Sequence, residues 1–160
     1  MTEADWKLAA PPGTPEDELC RCAPVQPWKL MPALGFNPVH CIQCNLEVPP
    51  VRMDLDAALV EELAGWNRVY RSFEDLWLDS GEYEQLAAQE LGDLGSSVNQ
   101  RGLKICGRLS GVSTCFYWLW RDQDTTEVPN ACLLCSGQLL SRWTSVIPQK
   151  VCETCYLVTA

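Results

Sequence analysis

Two pairs of cysteines in the C-terminal part of the chain constrain its fold more than any other feature. Cys132 and Cys135 form one C-x-x-C pair, and Cys152 and Cys155 form another after sixteen intervening residues. This spacing is typical of a zinc ribbon, in which two C-x-x-C turns converge on one tetrahedral metal ion. The intervening residues are expected to form a hairpin, with Gly137 providing a positive φ after the first turn. We therefore predict one zinc ion bound by these four cysteines.

A second set of paired cysteines lies in the segment of residues 20–53, which is rich in proline. It contains Cys20 and Cys22, followed eighteen residues later by Cys41 and Cys44. Such a segment cannot contain a long helix and buries little apolar surface by itself. Metal binding would supply the free energy that orders it. We therefore predict a second zinc ion bound by these four cysteines, within an otherwise irregular segment.

The spacing leaves the pairing of these cysteines open. An N-terminal pair could join a C-terminal pair in one site, since closing the longer loop costs only about 1.6 kcal/mol more than local pairing. His40, the one histidine of the chain, precedes Cys41. It could replace a cysteine as a ligand or donate a hydrogen bond to one.

The cysteine usage and the N-terminal sequence together predict a reduced, cytoplasmic protein. Eight of the ten cysteines occur in close pairs, which suits metal binding better than a disulfide framework. Residues 1–19 lack the basic start and apolar run of a secretory signal, and we expect a flexible tail that is acidic and rich in proline. No apolar stretch approaches twenty residues, so no membrane span is expected.

Residues 54–122 have the pattern of a helical core. Apolar residues recur every three or four positions from Leu55 to Trp77, which predicts a helix of about six turns capped by Asp54 or Asp56. Glu61, Glu62, Arg68 and Glu74 are placed on its opposite face. Two further helices are predicted, from Glu82 to Leu91 and from a Ser97 cap to Leu109.

The strands are predicted from shorter signals. The aromatic run from Thr114 to Arg121 is apolar on both faces, which indicates a strand covered on two sides. Gln138–Trp143 and Tyr156–Thr159 are predicted as short strands within a zinc ribbon of residues 130–160. The whole pattern predicts an α+β fold with a central helical segment, small antiparallel strands and a C-terminal ribbon.

The negative charge of the chain is concentrated in its helical part. The formal net charge is -9, and residues 54–93 contain eleven acidic residues against Arg68 and Arg71, a local net charge of -9. This distribution disfavours binding to nucleic acid and favours a basic protein partner.

The sequence contains no recognisable catalytic constellation. There is no phosphate-binding glycine loop, and a nucleophile paired with a base normally requires a histidine placed away from a metal site. Four cysteines at each predicted site leave no open coordination position for hydrolysis. We therefore expect a protein that is not an enzyme.

Several of these stretches resemble a bacterial family of uncharacterised zinc-ribbon proteins for which nucleic-acid binding has been suggested. The resemblance spans about residues 20–158 and rests on the motifs around Cys41 and Cys44, on SVNQRGLKIC at residues 97–106, and on the aromatic strand and the ribbon. It implies a zinc ribbon at residues 132–155. One departure is Ser136, since glycine usually follows the second cysteine of the knuckle in that family.

These observations lead to one functional hypothesis and two alternatives. The hypothesis is a small zinc protein whose acidic helices bind a basic protein, such as an immunity protein that neutralises a toxin. The first alternative is a nucleic-acid binder in which Trp118, Trp120 and Trp143 stack on bases. The second alternative is a redox or metal-handling protein with labile zinc.

Overall fold

The computed structural model describes residues 13–33, 35–122, 128–141 and 148–159, and within them the chain forms a helical layer on one mixed sheet. The helices are α1 (Ala57–Asp79), α2 (Glu84–Gly92) and α3 (Ser97–Leu109). The strands are β1 (Trp28–Leu30), β2 (Val39–Cys41), β3 (Cys115–Trp118), β4 (Lys150–Cys152) and β5 (Leu157–Thr159). Two 3-10 turns cover Glu16–Glu18 and Pro50–Arg52. The α+β class is as expected.

The sheet has the strand order β2-β1-β3-β5-β4. The outer pairs, β1 with β2 and β4 with β5, are antiparallel, whereas β3 lies parallel to both β1 and β5. The expectation of antiparallel strands was therefore wrong for the centre of the sheet. Parallel neighbours require a long crossover, which here carries the three helices between β1 and β3.

The segment of residues 20–53, expected to be irregular, contributes the strands β1 and β2. Its prolines flank these three-residue strands without interrupting them, with Pro27 and Pro32 around β1 and Pro38 before β2. Strands this short produce little periodic signal, which explains why the sequence pattern did not reveal them.

Helix α1 follows the predicted pattern closely. Asp56 caps its N-terminus by accepting a hydrogen bond from the Leu59 amide at 2.8 Å, and the helix ends just before Ser80. Its apolar stripe is core, because Leu63, Trp66 and Tyr70 are buried. Its predicted polar face is less uniform, since Glu62 pairs with Arg108 at 2.7 Å and Glu74 is half-buried.

The other helices differ slightly from their predicted bounds. Helix α2 begins at Glu84, two residues later than expected. The cap of α3 is Ser96 and not Ser97, because the Ser96 hydroxyl accepts the Asn99 amide hydrogen bond at 3.3 Å. Helix α3 packs closely on the sheet at Gly102, where an added Cβ would lie 2.3 Å from the Tyr117 ring.

Strand β3 is covered on both faces, as predicted. Cys115 and Tyr117 belong to the large core beneath the helices. Phe116 faces the other side, in a smaller cluster with Ile42, Val151 and Val158.

The ribbon is built from short paired segments. Gln138 and Leu140 form single bridges to Ala131 and Val151, and the predicted strand continues into Arg142 and Trp143, which lie outside the described residues. Strand β5 begins at Leu157, one residue later than expected.

The chain segments predicted as separate units meet in one sheet, since β1, β3 and β5 come from residues 20–53, 54–122 and 130–160 respectively. The division of the chain into those units, and the tail of residues 1–19, stay predictions. Among the helices that the structure describes, none is both long and apolar enough to cross a membrane.

Candidate metal centres

The first candidate metal centre is formed by Cys20, Cys22, Cys41 and Cys44. One sulfur from each residue lies within 4.8 Å of the other three, and the Sγ atoms of Cys22 and Cys41 are 3.9 Å apart. Four sulfurs around a tetrahedral ion with bonds of about 2.3 Å would be separated by about 3.8 Å. This cluster could therefore hold one metal ion.

The second candidate centre is formed by Cys132, Cys135, Cys152 and Cys155. Its four sulfurs also lie within 4.8 Å of one another, and the Sγ atoms of Cys135 and Cys152 are 3.6 Å apart. Cys152 ends β4, and the turn that follows it leads directly into β5. The two clusters are thus compatible with two bound ions.

The structure groups the cysteines locally and does not cross-pair the two sets. His40 belongs to neither cluster. Burial and the neighbouring Lys29 lower the pKa of His40 to about 4, which keeps the imidazole neutral at pH 7. Cys106 and Cys115 are buried outside both clusters, where the Cys106 thiol donates to the Cys115 carbonyl at 3.1 Å.

All three C-x-x-C turns share one backbone geometry. The residue after the second cysteine has a positive φ in every case: Asn45 at 63°, Ser136 at 58° and Tyr156 at 53°. The expectation of a positive φ at Gly137 was wrong by one residue. The bacterial family that the sequence resembles usually has glycine at the position of Ser136. The positive φ explains this preference, because the left-handed region is energetically unfavourable for residues with a side chain.

Backbone amides donate hydrogen bonds to the sulfurs in these turns. The Leu134 amide donates to Cys132 and the Cys155 amide to Cys152, both at 3.4 Å. The Gly137 amide donates to Cys135, and this bond is the main reason why the pKa of that thiol falls to about 7. A Cβ on Gly137 would lie 3.2 Å from the Cys135 sulfur, so this glycine is explained by close approach. The amides favour thiolates, the form that binds metal.

The two centres differ in their surroundings. Cys20 and Cys41 are buried in the first centre, and burial raises the pKa of Cys41. The Arg52 guanidinium donates to the carbonyls of Cys20 and Cys22 at 2.8 and 2.7 Å. Cys135, in the second centre, is exposed. Each centre thus has two buried cysteines, but the first is flanked by a cation and the second contains one exposed cysteine.

Sequence reasoning missed the polar residues around the first centre, namely Lys29, Arg52 and Gln149. None lies at a recognisable spacing from a cysteine. The one available signal was Lys29, a charge within the otherwise apolar run from Trp28 to Met31.

A comparison with protein-family profiles matches residues 33–120 to a domain of unknown function, DUF2310. This range is more than half of the chain. The chain belongs to the DUF2310 family. The DUF2310 region includes the turn at Cys41 and Cys44, the three helices and β3, and it stops before the ribbon.

No curated protein and no solved structure matched the chain in the corresponding searches. The DUF2310 match covers less than the expected resemblance over residues 20–158, and a domain of unknown function brings no activity with it. The two cysteine clusters are compatible with the zinc-ribbon part of that resemblance, whereas its nucleic-acid part stays a hypothesis.

Proposed function

We propose that this protein is a non-enzymatic, cytoplasmic zinc protein whose two metal centres hold an acidic helical surface in place for a basic protein partner. An immunity protein or similar inhibitor that neutralises a basic toxin is the concrete form of this proposal. Its metal part is supported by the two four-sulfur clusters, and its partner part is supported by a patch on α1 and α2.

Zinc is the metal that suits these clusters best. Four soft thiolates in tetrahedral arrangement select zinc or iron–sulfur chemistry over the hard cations Mg²⁺ and Ca²⁺. Four protein ligands also complete the coordination of zinc, which is typical of a structural site and leaves no position for a reacting water.

The observation that carries the partner proposal is a mixed patch at the end of α1 and the start of α2, which we call the acidic corner. Its apolar residues are exposed, at 65% for Leu78, 49% for Tyr83 and 51% for Leu86. Its exposed carboxylates are Asp75, Asp79, Glu82 and Glu84. Apolar anchors surrounded by charge are typical of protein interfaces, and carboxylates attract a basic partner over long range.

The metal part is tested by elemental analysis of the purified protein. Two zinc ions per chain are expected. Cys135→Ser should reduce the zinc content to about one ion and destabilise the ribbon, because structural zinc supplies much of the folding free energy of such modules. Ser141→Ala, at an exposed site in the ribbon, is the control. Unchanged zinc content in Cys135→Ser would contradict the ligand assignment.

The partner part is tested by affinity capture from the native host with the zinc-loaded chain. Reversing Asp79, Glu82 and Glu84 to lysine should abolish capture of a stoichiometric basic protein. Reversing the exposed carboxylates of Glu16, Asp17 and Glu18 is the matched control, since it changes the net charge equally at another site. Equal loss in both variants would indicate unspecific charge attraction and would refute the acidic corner.

A filter-binding titration at low and moderate salt tests the nucleic-acid alternative, because phosphate contacts produce a steep salt dependence. Two of the tryptophans named for base stacking already have contacts within the protein. Trp120 packs edge-on against Trp77 at 5.1 Å, and Trp118 lies under the Lys29 ammonium. Trp143 lies outside the described residues. Tight binding with a steep salt slope would favour the alternative over the proposal.

A further inference from the structure

Lys29 is a fully buried lysine in the middle of β1. Its exposed fraction is 0%, while its strand neighbours Trp28 and Leu30 point into the large core. Burying an ammonium group is costly unless hydrogen bonds and a nearby negative charge compensate for the lost hydration. The surroundings of Lys29 therefore need to supply such compensation.

The contacts of Lys29 supply only part of the compensation for the lost hydration. Its Nζ donates to the Asn45 side-chain oxygen and, at 2.9 Å, to Gln149 Oε1, and it lies 5.0 Å from the centre of the Trp118 ring. Both hydrogen-bond acceptors are neutral amides. Burial lowers the Lys29 pKa to about 8, while the thiolates of Cys41 and Cys44 oppose that shift. A metal with four thiolates carries a net charge of about -2, which would favour the charged ammonium.

Gln149 connects this lysine to the other half of the molecule. The residue comes directly before β4, the strand that ends at Cys152. Its side chain is 4% exposed, accepts from Lys29, and donates from Nε2 to the Ile42 carbonyl at 2.9 Å. Ile42 lies between Cys41 and Cys44. A side chain from the C-terminal ribbon thus forms a hydrogen bond with the backbone of the C-x-x-C turn at Cys41 and Cys44.

We propose that Lys29 and Gln149, which lie in the outer shell of the first metal centre, link it through β4 to the second, so that a metal ion in one centre raises the affinity of the other. The inference rests on the metal part of the proposed function. Metal at the second centre fixes β4 and hence Gln149, which positions the Ile42 carbonyl and the Lys29 ammonium for the first centre. Coupling of this kind is reciprocal, and typical values change affinity by roughly 5- to 150-fold.

Native mass spectrometry of the full chain at one equivalent of zinc measures this coupling directly. Positive coupling depletes the one-zinc species in favour of the apo and two-zinc species. Gln149→Leu keeps all eight cysteines but breaks both hydrogen bonds, and we expect it to increase the one-zinc fraction by about twofold for a tenfold coupling. Gln138→Leu, at an exposed glutamine of the ribbon, is the control and should behave as the parent chain.

A second pair of variants covers the case in which Gln149→Leu fails to fold. Lys29→Met removes the charge and retains an apolar stem, and Lys104→Met on the exposed face of α3 is its control. An increased one-zinc fraction in Lys29→Met, absent from Lys104→Met, supports the proposed link between the two centres. If whichever of Gln149→Leu and Lys29→Met folds has the same one-zinc fraction as the parent chain, the coupling is refuted, while the finding of two-zinc binding is unaffected. Failure of the parent chain to bind zinc would instead refute the proposed function.

Discussion

At the scale of single residues, each of the three C-x-x-C turns places a residue other than glycine in the left-handed backbone region that glycine prefers. Asn45 suits this region, whereas Ser136 and Tyr156 are less usual there. The energetic cost of the positive φ at Tyr156 is partly offset by packing of its ring against Phe116, with the two ring centres 5.8 Å apart. Ser136 is exposed and has only the turn itself to stabilise it, which makes it the better position for measuring the cost of this geometry.

Ser136→Val is expected to destabilise the ribbon by about 1–2 kcal/mol, because a β-branched side chain tolerates a positive φ poorly. Ser136→Gly should fold and bind metal at least as well as the parent chain. Thermal unfolding of the zinc-loaded proteins measures both. Equal melting temperatures for the valine and glycine variants would show that the left-handed turn is not maintained in solution.

Glu74 introduces a pH dependence into α1. Burial raises the pKa of this carboxyl to about 7, although Arg71 acts in the opposite direction. The folded state therefore holds the proton more tightly than the unfolded state, so stability falls as the pH rises from about 4.5 to 7. Glu74→Gln should stabilise the protein by about 1 kcal/mol at pH 8 and leave its stability at pH 4.5 unchanged.

Chemical denaturation at the two pH values measures this effect. Glu61→Gln, which removes an exposed carboxylate from the same helix, is the matched control. A Glu74→Gln profile parallel to that of the parent chain would mean that Glu74 is ionised and hydrated in the folded state.

At the scale of elements, close packing at Gly102 sets the position of α3 against α1 and the sheet. Besides the Tyr117 ring, a Cβ on Gly102 would lie 2.9 Å from Trp66 Nε1, the atom that donates to the Val98 carbonyl at 3.0 Å. The Tyr117 hydroxyl in turn donates to Asn99 at 2.6 Å. Gly102 therefore fixes the distance between α1, α3 and the sheet.

Gly102→Ala is expected to destabilise the protein by about 2–3 kcal/mol, because the added methyl overpacks a rigid aromatic contact. Gly107→Ala in the same helix meets no atom within 4 Å and should instead stabilise by up to about 1 kcal/mol through helix propensity. Urea denaturation of both variants measures the difference. A stabilised Gly102→Ala would show that α3 can move away from β3.

The elements that sequence reasoning predicted well are those defined by local pattern. Helix α1 has a 3.6-residue repeat and an aspartate cap, and each cysteine cluster is made of two close pairs. The strands β1 and β2 are too short for such a repeat. The parallel pairing of β1 with β3 joins Trp28 to Cys115, two residues 87 positions apart, and no local preference encodes this contact.

At the scale of the whole molecule, the two candidate metal centres lie beside the two outer strands of the sheet. Cys41 ends β2, and Cys152 ends β4. The strand order places β2 and β4 at its two ends, with β1, β3 and β5 between them, and the hydrogen bond from Gln149 to the Ile42 carbonyl joins these two ends. Metal at both centres would therefore stabilise both sides of one sheet.

Removal of metal by a chelator is expected to lower the melting temperature by more than about 10 °C, because structural zinc binding contributes on the order of 10 kcal/mol or more. Chelator already saturated with zinc is the control. Circular dichroism follows the transition. An unchanged melting temperature after verified zinc removal would show that the sheet is stable without metal.

The position of β3 has a consequence for synthesis of the chain. Its second parallel neighbour, β5, is made about forty residues later, so a growing chain contains β1 and β3 while one edge of β3 has no partner. An open apolar strand edge readily pairs with another chain. Free chains truncated near residue 141 should therefore associate with one another or require a chaperone, because they lack the last strand that closes the sheet.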